Sequence, residues 1–315
     1  MGKIITIILP LFAMILCGYG IVRAGVIGKE TVRGLVGVVF WLFLPCFIFM
    51  KTLSADYQAG INWNLLNAYY LACLLVFLIA AAVGRLFWGG DLRIAGLRGL
   101  ASISGVVGYM GLPLMVMTFG DAAVLPAVMI TTADNLVILA GGSLLMEMTS
   151  VRTGHAQPGG WPLLIAIAKG IVRNPLILAV LLAAVFIAAG LSLPSALHIF
   201  ARQMTDATGP LALVALGAAL AIHPMTGLAQ ADSIFLAVLK VTVLPGLVFL
   251  SCRYGFELDP FSVKIAVLMA ALPVAVNVFI LASRYQSYET QVSSAMLLSV
   301  GMGLLVLSGL LLILA

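Results

Sequence analysis

The sequence predicts an all-α polytopic membrane protein with ten transmembrane helices arranged as two five-helix inverted repeats. Three observations predict it. Of the 315 residues, 63% are hydrophobic and 9% charged, with a mean hydropathy of +1.21, whereas a soluble domain carries about 25% charged residues. The apolar residues gather into segments long enough to cross a hydrocarbon layer, separated by short polar links. The prolines also repeat: Pro10 and Pro175 lie 165 residues apart, Pro45 and Pro210 again 165, and Pro113 and Pro273 160. The first, second and fourth spans of each half thus carry a proline at nearly one offset. Five spans per half is an odd number, so the second half enters the membrane in the opposite sense, as in many secondary transporters.

The first span, Ile4 to Val22, is full length and lacks a clean small-residue cleavage site, which favours a retained helix over a signal peptide. The second runs from Val32 to Met50 around Pro45, and the third from Leu65 to Phe87. A basic loop with Arg85, Arg93 and Arg98 precedes the fourth, Leu97 to Phe119. The fifth, Ala122 to Met148, holds Asp134 and Asn135 at its centre. Ser150 to Gly160 is polar and turn-rich and reads as a cytoplasmic linker. It divides a first repeat over 1–149 from a second over 161–315. Trp161 to Val172 reads as an interfacial lead-in. The later spans are Asn174 to Leu191, Met204 to Ile222, Ile234 to Cys252 with Lys240 and Pro245, Val263 to Ser283, and Gln291 to Ala315. Pro245 has no partner in the third span.

Charge sets the expected orientation. Loops one, three and five carry Arg23, Lys29, Arg33, Arg85, Arg93, Arg98, Arg152, Lys169 and Arg173. The opposite side carries Lys3, Lys51, Arg202, Arg253 and Lys264. The positive-inside rule then places both termini on the non-cytoplasmic side of the cytoplasmic membrane. The net charge of +5 is explained by those loops, and no nucleic-acid partner is expected. Cys17, Cys46, Cys73 and Cys252 stand singly in apolar segments without metal or disulfide spacing, and His155, His198 and His223 are far apart in sequence. No metal and no cofactor are expected. No acidic pair, Ser/His arrangement or phosphate loop supports an enzyme or an ATP-driven pump.

Function is concentrated in two interrupted spans. Gly105 to Pro113 reads Gly-Val-Val-Gly-Tyr-Met-Gly-Leu-Pro in the middle of a membrane-length segment, where glycine and proline interrupt the helical ladder. Ala270 to Phe279 repeats the pattern with Pro273 and Asn277. In lipid such a break is expected where the freed backbone is packed or faces a binding site. Paired breaks point to a transporter's substrate site. The half-helix after each break directs unpaired N–H groups and a partial positive charge toward the centre, which suits a carboxylate. Gly108 and Gly111 allow close approach of a ligand, Tyr109 offers a hydroxyl, and Asn277 an amide donor. The expected substrate-binding set is Gly108, Tyr109, Gly111, Pro113, Asp134, Asn135, Pro273 and Asn277. Asp134, an intramembrane acid, is also the proton-coupling candidate. Glu147 reads as an interfacial anchor and Asp206 as a helix-start charge. Lys240 reads as a partly intramembrane cation whose acidic partner the sequence does not name.

The Gly108-Tyr109-Met110-Gly111-Leu112-Pro113 run, Asn174-Pro175, Pro210 followed by Leu-Ala-Leu-Val-Ala-Leu-Gly, Leu272-Pro273-Val274-Ala275-Val276-Asn277 and Ala282-Ser283-Arg284-Tyr285 keep their order over nearly the whole chain. Together they resemble the auxin efflux carrier family, and the Gly-Tyr-Met-Gly-Leu-Pro wording resembles its bacterial malonate-transporter group. One departure stands out: the family usually has Asn two residues before Gly108, where this chain has Val106. The resemblance implies a scaffold part of spans one, two, six and seven, a transport part of the rest, and broken fourth and ninth spans that cross at Pro113 and Pro273. It also implies an elevator-type alternating-access carrier, a homodimer formed through the scaffold, and polar fifth-span side chains lining the site. The expected function is transport of a small mono- or dicarboxylate, malonate among them, with membrane lipid as surroundings and proton or sodium coupling. A sodium-coupled organic anion symporter of the bile acid type and an anion channel are the alternatives.

Overall fold

The computed structural model describes residues 2–54, 62–137, 142, 175–222, 230–284 and 286–314. The linker over 150–160, the lead-in over 161–172 and Glu147 lie outside the described residues. Those described are helical, with one isolated antiparallel β-bridge between Gly105 and Val274. Six helical stretches among them are long and apolar enough to cross a membrane: Lys29–Ser54, Trp63–Trp88, Leu112–Asp134, Ser195–Ala221, Ala231–Gly255 and Glu289–Leu314. Ala13–Arg23, Pro175–Ala188 and Pro260–Ala270 are shorter apolar helices. This is a multi-pass membrane protein.

The chain forms two compact units, the first made of 1–61, 108–132 and 172–223 and the second of 62–107, 133–171 and 224–315. Spans one, two, six and seven thus fall in the first unit, joined by residues 108–132.

In the first unit lie α1 (Gly2–Arg23), α2 (Lys29–Val38), α3 (Leu44–Ser54), α6 (Leu112–Phe119), most of α7 (Val124–Leu136), α8 (Pro175–Ala188) and α9 (Ser195–Ala221). Helix α1 packs along α9, and α8 along α3. Two glycines set the closeness of the first pair. A side chain at Gly18 would run into the Val214 carbonyl, and one at Gly217 into the Ile15 carbonyl, the small-residue contact by which membrane helices gain packing. Thr208 Oγ1 lies 3.1 Å from Phe43 O and Thr205 Oγ1 3.4 Å from Cys46 O, tying α9 to the backbone flanking Pro45. Near the opposite end of α3, Lys51 Nζ donates to Asp121 Oδ1 at 2.7 Å.

In the second unit lie α4 (Trp63–Trp88), α5 (Leu92–Ile103), α10 (Ala231–Val238), α11 (Leu244–Leu250), α12 (Pro260–Ala270), α13 (Val276–Arg284) and α14 (Glu289–Leu314). Three of the starts, those of α4, α5 and α12, carry side-chain caps. Asn62 accepts from Leu65 N at 3.0 Å, Asp91 from Ile94 N at 2.9 Å and Asp259 from Ser262 N at 2.9 Å, each satisfying a donor that the helix itself cannot. Pro260 follows Asp259 in the first turn of α12, where its missing N–H costs nothing. Helix α4 packs on α5 and on α11, α11 on α12, and α10 and α13 on α14.

Prolines inside spans leave a shared mark. A π-helical turn, Val39–Phe43, Val107–Gly111 or Leu239–Val243, ends immediately before Leu44-Pro45, Leu112-Pro113 and Leu244-Pro245. In two of them the bond runs five residues back, from Leu44 N to Val39 O and from Leu244 N to Leu239 O. The wider turn moves the carbonyl four residues before each proline out of the way of the ring. Pro10 and Pro210, by contrast, sit inside continuous helices.

The interruption of the fourth span differs from the sequence expectation in place. Helix α5 ends at Ile103, and Ser104 to Val106 are the unwound residues. Pro113 belongs to the first turn of α6, a position proline tolerates. The ninth span is interrupted where expected, between Ala270 and Val276 around Pro273. A second difference concerns Arg98. It is a residue of α5 and 2% exposed, so it is buried within the span rather than part of the basic loop.

Candidate functional site

The two unwound stretches of the second unit are hydrogen-bonded to each other. Val106 N donates to Pro273 O at 3.0 Å and Ala275 N donates to Ser104 O at 3.0 Å, on either side of the Gly105–Val274 bridge. Each donor has left its own helix ladder, and each finds a carbonyl in the other break. Val274 N, which a continued helix would have aimed at Ala270 O, instead donates to Ser299 Oγ of α14 at 3.0 Å. Ser104, Val106, Leu272, Pro273 and Val274 are buried. The pairing therefore removes the cost of about 1–3 kcal/mol that each buried unsatisfied group would carry.

Releasing Ala270 O from the ladder opens a place at the carboxyl end of α12, and Lys240 fills it. Its ammonium donates to Ala270 O at 2.5 Å, and the residue is 0% exposed. The π-helical turn before Pro245 carries Lys240. A Cβ at Gly105 would lie 3.2 Å from Lys240 Nζ and 3.4 Å from Leu272 Cβ, so the glycine provides the room. Asp134, near the end of α7, is 4% exposed. The partner that the sequence left open for Lys240 is a helix-end carbonyl, Ala270 O.

The remaining predicted residues divide between the units. In the first, Gly108 faces Leu176 and Thr131, and Pro113 faces Gly209. Gly111 leads directly into α6. The side chains of Tyr109 and Asn135 lie outside the described set. In the second, Pro273 packs against Gly303 of α14, where a Cβ would approach its ring to 3.3 Å. Asn277 is half-buried in the first turn of α13. Val106, the departure from the family wording, works through its backbone N–H, for which the side chain's polarity is immaterial.

A further polar cluster escaped the sequence reading. Arg98 Nη2 donates to Asp232 Oδ2 at 2.8 Å, its Nε lies 3.2 Å from both carboxylate oxygens, and its Nη1 donates to Gly89 O at 2.6 Å. Tyr288 Oη donates to Asp232 Oδ2 and accepts from Arg98 Nε at 3.1 Å, and the Arg98 guanidinium lies over its ring at 5.1 Å. Burial, then the hydrogen bond to Asp232, holds the Tyr288 phenol well above its ordinary range, so it stays a neutral donor. Gly84 leaves room for the guanidinium. The signal available in the sequence was the place of Arg98 inside an apolar run, Leu97 to Ile103, rather than ahead of it.

A family model described as membrane transport protein matches residues 3–311. The chain belongs to the auxin efflux carrier family. It is similar to a protein of Rhizobium meliloti (strain 1021) named "Putative malonate transporter", with 27% identity covering 99% of this chain and 96% of that one. It is also similar to "Uncharacterized transporter YfdV" of Escherichia coli (strain K12), with 23% identity over 93% and 92% of the two chains. "Uncharacterized transporter MJ1031" of Methanocaldococcus jannaschii is 21% identical over 96% of each. With helices that can span a bilayer and transporters as relatives along its full length, this family member is a membrane transporter.

Proposed function

We propose that this transporter is a secondary active carrier that moves a small organic anion, a mono- or dicarboxylate, across the cytoplasmic membrane by alternating access. The observation that carries the reading is the mutual pairing of the two unwound stretches, Ser104–Val106 and Pro273–Ala275, in the interior of the second unit. Interrupted helices at membrane depth are characteristic of carrier substrate sites. Asn277 in the first turn of α13 combines an amide donor with the N–H groups of a helix start. Lys240 supplies a buried positive charge nearby. Malonate is the first candidate, on the printed name of the Rhizobium meliloti relative.

Ten spans in two inverted repeats are the architecture we propose. The matched proline offsets, the reciprocal packing of α1 on α9 and α8 on α3, and the breaks after α5 and α12 support it. Both termini then lie outside the cytoplasm, and two copies join as a homodimer. Asp134, buried near the end of α7, is the proposed proton-coupling acid. The test is stabilisation of the purified protein by a series of mono- and dicarboxylates across pH and sodium concentration, followed by counter-flow in liposomes. A saturable carboxylate that drives counter-flow supports the carrier. Stabilisation by none of them, or flux without counter-flow, sets it aside.

A further inference from the structure

We infer that Lys240 is a built-in cation, occupying the place at the carboxyl end of α12 where a carrier of this architecture would bind a free monovalent coupling ion, so that this transporter works without sodium. The inference rests on the carrier reading above and narrows its coupling.

Three observations meet at one point. Ala270 O has lost its ladder donor, because Val274 N turns to Ser299 Oγ. The partial negative charge of the α12 carboxyl terminus is therefore left at a buried carbonyl. Unwound carbonyls and half-helix carboxyl ends are where transporters hold sodium or a proton. In this chain the position is taken by an ammonium, fully buried, 2.5 Å from Ala270 O. Gly105, in the paired stretch itself, is the residue whose missing side chain makes room for it. A tethered ammonium supplies a positive charge at the distance of a hydrogen bond, and a sodium ion at the same carbonyl would have to displace it.

Removing the ammonium should open the site to the free ion. We would measure the melting temperature of the purified protein, and of Lys240→Ala and Lys240→Gln, in sodium chloride against choline chloride at equal ionic strength, with no carboxylate present. Wild type is expected to melt at the same temperature in both salts. Lys240→Ala is expected to melt lower in choline and to recover about 2–4 °C in sodium. The glutamine variant, which keeps the length and loses the charge, should fall between them. Sodium-specific stabilisation of the wild type overturns the inference, as does a folded Lys240→Ala that ignores sodium. If neither variant can be purified, the wild-type comparison and sodium-for-choline replacement in uptake still decide: independence supports a built-in cation, and dependence removes it. Because the melting comparisons contain no carboxylate, they stand apart from the substrate screen. A failed screen would remove the anion reading and leave the sodium result intact.

Discussion

Gly105 and Val274 face each other as an antiparallel bridge, with Val106 N on Pro273 O and Ala275 N on Ser104 O. Each break thus satisfies the backbone of the other, and neither can be moved alone. Gly105→Val would press a branched side chain against Lys240 Nζ and Leu272 Cβ, which stand 3.2 and 3.4 Å from a Cβ there. Overpacking of this kind costs about 1–3 kcal/mol. The variant should melt lower than wild type and lose transport, read by thermal denaturation and liposome uptake; unchanged uptake would mean that the pairing tolerates displacement of Lys240.

Ser299 supports the same pairing from α14. Its Oγ accepts from Val274 N at 3.0 Å and lies 2.8 Å from Met296 O. Ser299→Ala leaves a buried N–H without its acceptor, with an expected destabilisation of about 1–3 kcal/mol. Ser299→Thr, which keeps the hydroxyl, should retain most of the stability. Equal losses in the two variants would point to packing rather than to the hydrogen bond.

Arg98 and Asp232 form a buried ion pair between α5 and α10, with side chains 3% and 8% exposed. Deleting one partner of such a pair leaves an uncompensated charge and costs about 3–5 kcal/mol. Asp232→Asn and Arg98→Met should each lower the melting temperature sharply, and the double variant should be less impaired than the sum of the two. Tyr288→Phe removes only a donor and should cost less. Additive losses in the double variant would show that the charges do not depend on each other.

Asn277→Ala should weaken carboxylate binding at least about tenfold, the loss of one hydrogen bond to a charged group, without lowering stability in the absence of substrate. The check is a titration of the malonate-induced shift in melting temperature. Binding as tight as in the wild type would remove Asn277 from the site.

Asp134→Asn is expected to uncouple uptake from the pH gradient while leaving counter-flow intact. Uptake that still follows the imposed gradient in this variant would assign the proton to another group.

Much of this was legible in the chain itself. Low charge and apolar segments of membrane length define the class, because a bilayer interior admits only helices or closed barrels. Glycine and proline mark where helices fail, since both act on the residue's own backbone. That local character is why Pro273 marks its break. Pro113 misled by position: a proline tells that a ladder is weakened nearby, while the unwound residues, Ser104 to Val106, were chosen by the carbonyl and N–H groups available across from them. The same limit applied to Arg98, which counts as a loop cation until Asp232, 134 residues away, supplies a charge that makes its burial tolerable.

What the sequence determined by itself was the membrane class, the repeated prolines and the residues at which the helices weaken. What only the tertiary structure decided was where the freed groups found partners: Val274 N on Ser299, Val106 N on Pro273, and Lys240 on the abandoned carbonyl of Ala270. The physical reason is range. Propensity and hydropathy act within a few residues of the chain, whereas a buried donor or charge is stabilised by whichever group folding brings within about 3 Å.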